Sequence, residues 1–217
     1  MKTLTEKVYR IAPPGGIFDA TVVSNLFADR SRGARRLLLD RAVRAGEVLR
    51  LKRGLYVLAP EFRKSDPHPF AVAAMLYSPS HVSLESALGY WDLIPETVYQ
   101  VASVGVMRNR DFETPLGFFS FRRVPTRNPK AGVNALQVDD NSWAFVATPL
   151  RALADMVYLD NSISWGRNGK TYLLESLRIE AVDLEAIAYD RCEEIANAFV
   201  SRRVKGFLHG MKGEFAQ

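Results

Sequence analysis

The sequence predicts an α+β protein: an amino-terminal winged helix-turn-helix, then a mixed α/β domain with a small sheet and a helical carboxy-terminal tail. Three observations predict it. Apolar residues recur at helical spacing in the segments before Gly46 and alternate after it. Positive charge gathers in the same region, where 14 Lys or Arg face 6 Asp or Glu up to Lys64, while the remainder of the chain is slightly acidic. The polar, proline-bearing EFRKSDPHP at 61–69 then breaks the pattern and divides the chain into modules 1–60 and 68–217.

Each element has a local reason. Leu4 to Ile11 is a short helix stopped by Pro13, Pro14, Gly15 and Gly16. Asp19 offers a side-chain acceptor to the free amides of a helix reaching about Phe27, with Val22, Val23, Leu26 and Phe27 as its apolar face. Ser31 caps a longer helix to about Ala45, and Gly46 closes it. Val48, Leu49 and Leu51, then Leu55 to Leu58, are two strands about the turn Lys52-Arg53-Gly54. In the second module a helix covers Phe70 to Tyr77, and Ser83 caps another carrying Ala87, Leu88 and Trp91. VYQVASVGVM and FFSFRRV are strands separated by the polar RNRDFETPLG, and SWAFVA is a third. Thr148 and Pro149 open a helix with Leu150, Leu153, Met156, Val157 and Leu159 on one side, and the tail from Lys170 to Gly210 is largely helical.

Composition narrows the class. With 47% apolar residues the chain can pack a core, so disorder is not expected. A single cysteine, Cys192, excludes an intramolecular disulfide and a thiolate metal cluster, and suits a reducing compartment. MKTLTEKVYRIAPPGG has no signal-peptide core and no window approaches a membrane span, so the expectation is a soluble, cytoplasmic protein without a membrane partner.

The basic run SRGARRLLLDRAVRAGEVLRLKRGLYVL points to duplex DNA, because Lys and Arg contacts release the counterions condensed on phosphates. Arg32, Arg35 and Arg36 lie at i, i+3 and i+4 near the amino end of the second helix, the part of a recognition helix that reaches base edges. Arginine suits that role through its planar donor fork. Lys52 and Arg53 at the hairpin tip are candidate phosphate or minor-groove contacts. Arg41, Arg44 and Arg50 are candidate backbone contacts or solvated charge. Leu37, Leu38 and Leu39 cannot all face one core, so the rotation of this helix stays open by one residue.

DATVVSNL followed by the basic run resembles the amino-terminal domain of the AbiEi family, antitoxins of AbiE-type (type IV) toxin-antitoxin systems of abortive infection and phage defence. HVSLESALGYWDLIPETV and ATPLRALADMVYL carry the resemblance into the second module. It implies a winged domain that binds repeats in its own promoter and represses its operon. It further implies a carboxy-terminal domain that counters a nucleotidyltransferase-like toxin without a stable complex, and two copies on one operator. The sequence beyond about Lys170 carries no such resemblance.

Enzymatic centres find little support, and neither a cofactor nor a metal is expected. His68, His81 and His209 are scattered and form no zinc motif. GRNGKT at 166–171 lacks the first glycine of a phosphate-binding loop and a preceding strand. Asp139 and Asp140 in VDDNSW spell a turn before a strand rather than a cation site. Cys192 is a packed or half-exposed helix residue whose glutamate neighbours raise a thiol pKa. Asp155 is a buried partner of Arg151 at i+4. Tyr90, Trp91, Phe118, Phe119 and Phe121 suit a core or, exposed, a protein-binding patch. Two alternatives stay open: a winged-helix regulator whose second domain senses a ligand or partner, and a nucleic-acid-processing enzyme docked by the winged helix.

Overall fold

In the computed structural model, residues 3–95 and 100–216 are described. The amino-terminal module begins with α1 (Thr3–Ile11), which ends before the prolines, and continues through the short strand β1 (Ile17–Asp19) into α2 (Ala20–Leu26). Asp19 ends the strand and caps the helix, its Oδ1 accepting from the amides of Thr21 at 2.8 Å and Val22 at 3.0 Å. β1 is absent from the sequence-based expectation: three residues are too few to show alternation. Helix α3 (Arg32–Arg44) starts where Ser31 Oγ accepts from the Ala34 amide at 3.2 Å. It stops at Gly46, whose φ of 71° is open to glycine without a Cβ clash. β2 (Val48–Lys52) and β3 (Leu55–Leu58) form the expected hairpin, with Gly54 at φ 84° in the turn. β1 pairs antiparallel with β3, giving the order β1-β3-β2.

Under this sheet Leu4, Val8, Phe18, Val23, Phe27, Leu39, Ala42, Val48 and Leu58 form one buried cluster. Burial of each large side chain is worth about 1.5–3 kcal/mol. Thr5, itself buried, ties α1 to the segment after α3 by donating to Glu47 Oε2 at 2.6 Å.

The second module contains α4 (Pro69–Leu76), β4 (Ser80–Val82), α5 (Leu84–Tyr90), β5 (Val101–Gly105), β6 (Arg110–Thr114), β7 (Gly117–Arg123), β8 (Val133–Asp139) and β9 (Ser142–Ala147). The strands join in the order β6-β7-β5-β4-β9-β8, with β5 parallel to β7 and β4 parallel to β9. Part of VYQVASVGVM, at 98–99, lies outside the described residues. RNRDFETPLG is not a mere polar separator: its centre is β6, a sheet edge. Solvent on one flank removes the need for apolar alternation, so only Phe112 and Thr114 are partly covered. β8 was likewise unexpected, and VDDNSW is the turn joining it to β9, with the Asn141 amide on Asp139 Oδ1 at 2.9 Å.

α6 (Pro149–Leu159) is capped by Thr148, and helical turns at Trp165–Gly169 and Tyr172–Ser176 lead to α7 (Ala181–Ala186), α8 (Cys192–Ala198) and α9 (Arg202–Phe215). The tail is therefore largely helical. Arg203 of α9 closes the end of α6, donating to the carbonyls of Val157, Asp160 and Ile163 at 2.5, 2.8 and 2.8 Å. The GRNGKT segment is built into these turns, Gly169 lying against Trp165 where a Cβ would come within 2.8 Å of the ring. The main core fills the second module but also takes in Ile17, Leu51, Leu55 and Val57 of the first.

Candidate nucleic-acid interface

Helix α3 carries most of the basic run, and its packing fixes which side faces water. Leu39 and Ala42 are buried, and Leu38 and Val43 partly so, against the small core of the amino-terminal module. The opposite face presents Arg32, Arg36, Leu37, Asp40, Arg41 and Arg44, all exposed. Leu37 is the leucine of its triplet that turns outward. With 13 residues the helix is about 20 Å long, and a major groove about 12 Å wide admits it. Arg36 is 85% exposed and its Nε lies 3.9 Å from Asp40 Oδ2, a surface pair too weak to withhold it from a phosphate or base.

Two predicted contacts are placed differently from expectation. Arg35 does not stand beside Arg32 and Arg36. It is half-buried and its Nη1 donates to the Ser24 carbonyl at 3.3 Å, so the guanidinium answers an unpaired carbonyl in the last turn of α2. The i, i+3, i+4 spacing puts it on the shoulder of the face nearest α2, where that carbonyl captures it. Lys52 is no free cation of the hairpin tip. Its Nζ donates to the carbonyls of Met75 at 2.9 Å and Leu76 at 2.6 Å, closing the carboxy-terminal turn of α4. Burial first, and then the nearby Arg110 cation, pull its pKa below the ordinary lysine value. Arg53 remains exposed at the tip, and Arg50 Nε reaches the Lys52 carbonyl at 3.4 Å.

The arrangement also adds a residue that the sequence reading passed over. Arg30, in the turn between α2 and α3, is exposed with its guanidinium 5.5 Å from the Phe27 ring centre. Its position one residue before the Ser31 cap, in the turn that leads into α3, was the available signal.

Away from this surface, a buried polar cluster sits where α6 meets the sheet. Asp155 Oδ1 accepts from Arg151 Nε at 3.0 Å, and Oδ2 from the Ser83 hydroxyl at 2.8 Å, with His81 Nε2 at 3.4 Å. Desolvation alone would push the Asp155 pKa up, but the Arg151 charge and the bonds from His81 and Ser83 outweigh it. The carboxyl is held below the usual carboxylate range. This is the i, i+4 partnership expected, extended across the sheet. Because Ser83 gives its proton to this ionised carboxylate rather than to His81, the trio lacks the nucleophile-to-base bond of a hydrolytic site. Cys192 is fully buried; burial foremost, with Glu193 adding, raises its thiol above the ordinary value against the opposing Lys212. Among the described residues no group of His, Cys, Asp and Glu could hold a metal, and no helix is long and apolar enough to cross a membrane. Comparison with protein-family models and with curated proteins finds no match to this chain.

Proposed function

We propose that this protein is a DNA-binding repressor of winged helix-turn-helix type, with α3 entering the major groove and the β2–β3 turn resting on flanking backbone. The observation that carries the reading is the outward row Arg32, Arg36, Arg41 and Arg44 on α3, flanked by Arg30 and Arg53. Support also comes from the element order helix, strand, helix, helix, hairpin with sheet order β1-β3-β2, which brings a hairpin beside the exposed helix. Arg35 and Lys52 hold the frame, and the contacts fall to the others.

The physiological role proposed is that of an AbiEi-type antitoxin acting in the cytoplasm. In that role two copies bind repeats in their own promoter, and the second module counters a nucleotidyltransferase-like toxin without stable association. The support for it is the resemblance of the residues quoted above. The decisive experiment is a gel shift of the full chain on the DNA immediately upstream of its reading frame against a scrambled duplex, at physiological salt. A preference above about 1,000-fold is the expected result, and equal, salt-erased binding to both duplexes would overturn the reading. Co-expression with a neighbouring nucleotidyltransferase-like protein tests the antitoxin role separately: rescue of growth is expected. A second reading, a regulator whose carboxy-terminal module senses a ligand, is favoured by a cavity of about 410 Å³ beside His81 and Arg151.

A further inference from the structure

That cavity opens at one end of the six-stranded sheet. Val106, Val124, Val133 and Phe145 give it apolar walls, and its polar groups are Ser80 and His81 of β4, Thr126, Asn128 and Lys130 on the loop at 125–132, and Arg151, which holds that loop. Arg151 Nη1 donates to the carbonyls of Ala131 at 2.7 Å and Pro129 at 3.4 Å, and Nε is taken by Asp155. Nη2 makes none of the hydrogen bonds of this side chain, although Arg151 is only 1% exposed and lines the cavity. Thr126 also lines it, and its hydroxyl oxygen is buried with no partner among the described residues. Lys130, which is exposed, also belongs to the lining, and no Asp or Glu is among the described lining residues.

Unmet donors inside apolar walls specify a ligand chemistry. Asp155 already offsets Arg151 and also meets His81, so the Lys or Arg charge of the lining left for a ligand is that of Lys130. A monoanion balances it, whereas a dianion would bring a second, uncompensated charge out of water. A neutral apolar molecule would fill the walls but leave Nη2 and the Thr126 hydroxyl unanswered. A volume near 410 Å³ lies toward the small end of ligand sites. We propose that this cavity binds a small amphipathic monocarboxylate, its carboxylate on Arg151, Thr126 and Lys130 and its hydrocarbon body against Val106, Val124, Val133 and Phe145. The inference stands independently of DNA binding.

Calorimetric titration and thermal melts of the full chain with sodium octanoate, against 1-octanol, octylammonium chloride and octyl phosphate, test it. Octanoate should bind saturably, raise the melting temperature and exceed each competitor by about tenfold in affinity. Arg151 holds the core and is left intact. Lys130 is exposed, so Lys130→Gln should fold as the parent does and lose about tenfold in octanoate affinity. Thr126→Val removes an unpartnered buried oxygen, so it should melt higher without ligand yet bind octanoate more weakly, a combination that a purely structural threonine would not give. Absence of octanoate binding, equal binding of octanoate and octanol, preference for octyl phosphate, or wild-type octanoate affinity in both variants would each overturn the proposal.

Discussion

Asp155 shows how a single carboxylate in the interior is kept charged. Wholly buried, it retains its negative charge because Arg151, His81 and Ser83 surround both oxygens. Asp155→Asn removes that charge and leaves Arg151 unpaired in the core, so unfolding free energy measured by denaturant titration should fall by about 3–5 kcal/mol. The pH dependence has a definite sign. The folded pKa lies below the unfolded one, so the stabilisation is fully present above the ordinary aspartate value and is lost as pH falls through the lowered folded value. Melts of parent and variant should therefore stay well separated at pH 7 and converge as pH drops below about 4. Lys52 offers the complementary test, since its ammonium serves two carbonyls of α4. Lys52→Ala should cost about 1–2 kcal/mol of stability while changing DNA affinity less than Arg53→Ala, which should leave stability within about 0.5 kcal/mol. The reverse pattern in the two assays would restore Lys52 to the phosphate backbone.

At the scale of elements, the proposed DNA contact turns on the rotation of α3, which sets the arginines that face solvent. Arg32→Ala combined with Arg36→Ala should abolish the preference for the upstream DNA in a gel shift while the melting temperature holds. Arg35→Ala should instead loosen α2 against α3 and lower the melting temperature. Loss of specificity only in the Arg35 variant would mean that its bond to Ser24 breaks on binding. Much of this was legible in the sequence because caps and turns are local: Asp19, Ser31, Gly46 and Gly54 each act within four residues of their own position. The edge strand β6 and the three-residue β1 were not legible, since the former needs no apolar alternation and the latter is defined by a partner nearly 40 residues away. The same distinction explains the site. Charge and spacing pointed to α3 and the hairpin, but the fates of Arg35 and Lys52 depend on carbonyls 11 and 24 residues distant, which no local pattern announces.

For the whole molecule, the question is whether the basic module works alone. The segment at 63–68 has no helix or strand, as a linker should, yet the apolar core does not stop there. Ile17, Leu51, Leu55 and Val57 belong to the cluster that fills the second module, and Lys52 bonds across to α4. Full burial of four such side chains is worth about 6–12 kcal/mol, an upper figure because they also pack within their own sheet. Even half of that equals much of the stability of a small domain, about 5–15 kcal/mol. A fragment of residues 1–66 should accordingly show no cooperative thermal transition by circular dichroism, or melt about 15 °C or more below the full chain. It should also lose selectivity for the upstream DNA, because α3 and the hairpin would no longer be held at one angle. A fragment that melts sigmoidally at the temperature of the full chain and keeps its selectivity would show instead that the two modules are independent, and that the shared core is contact without consequence.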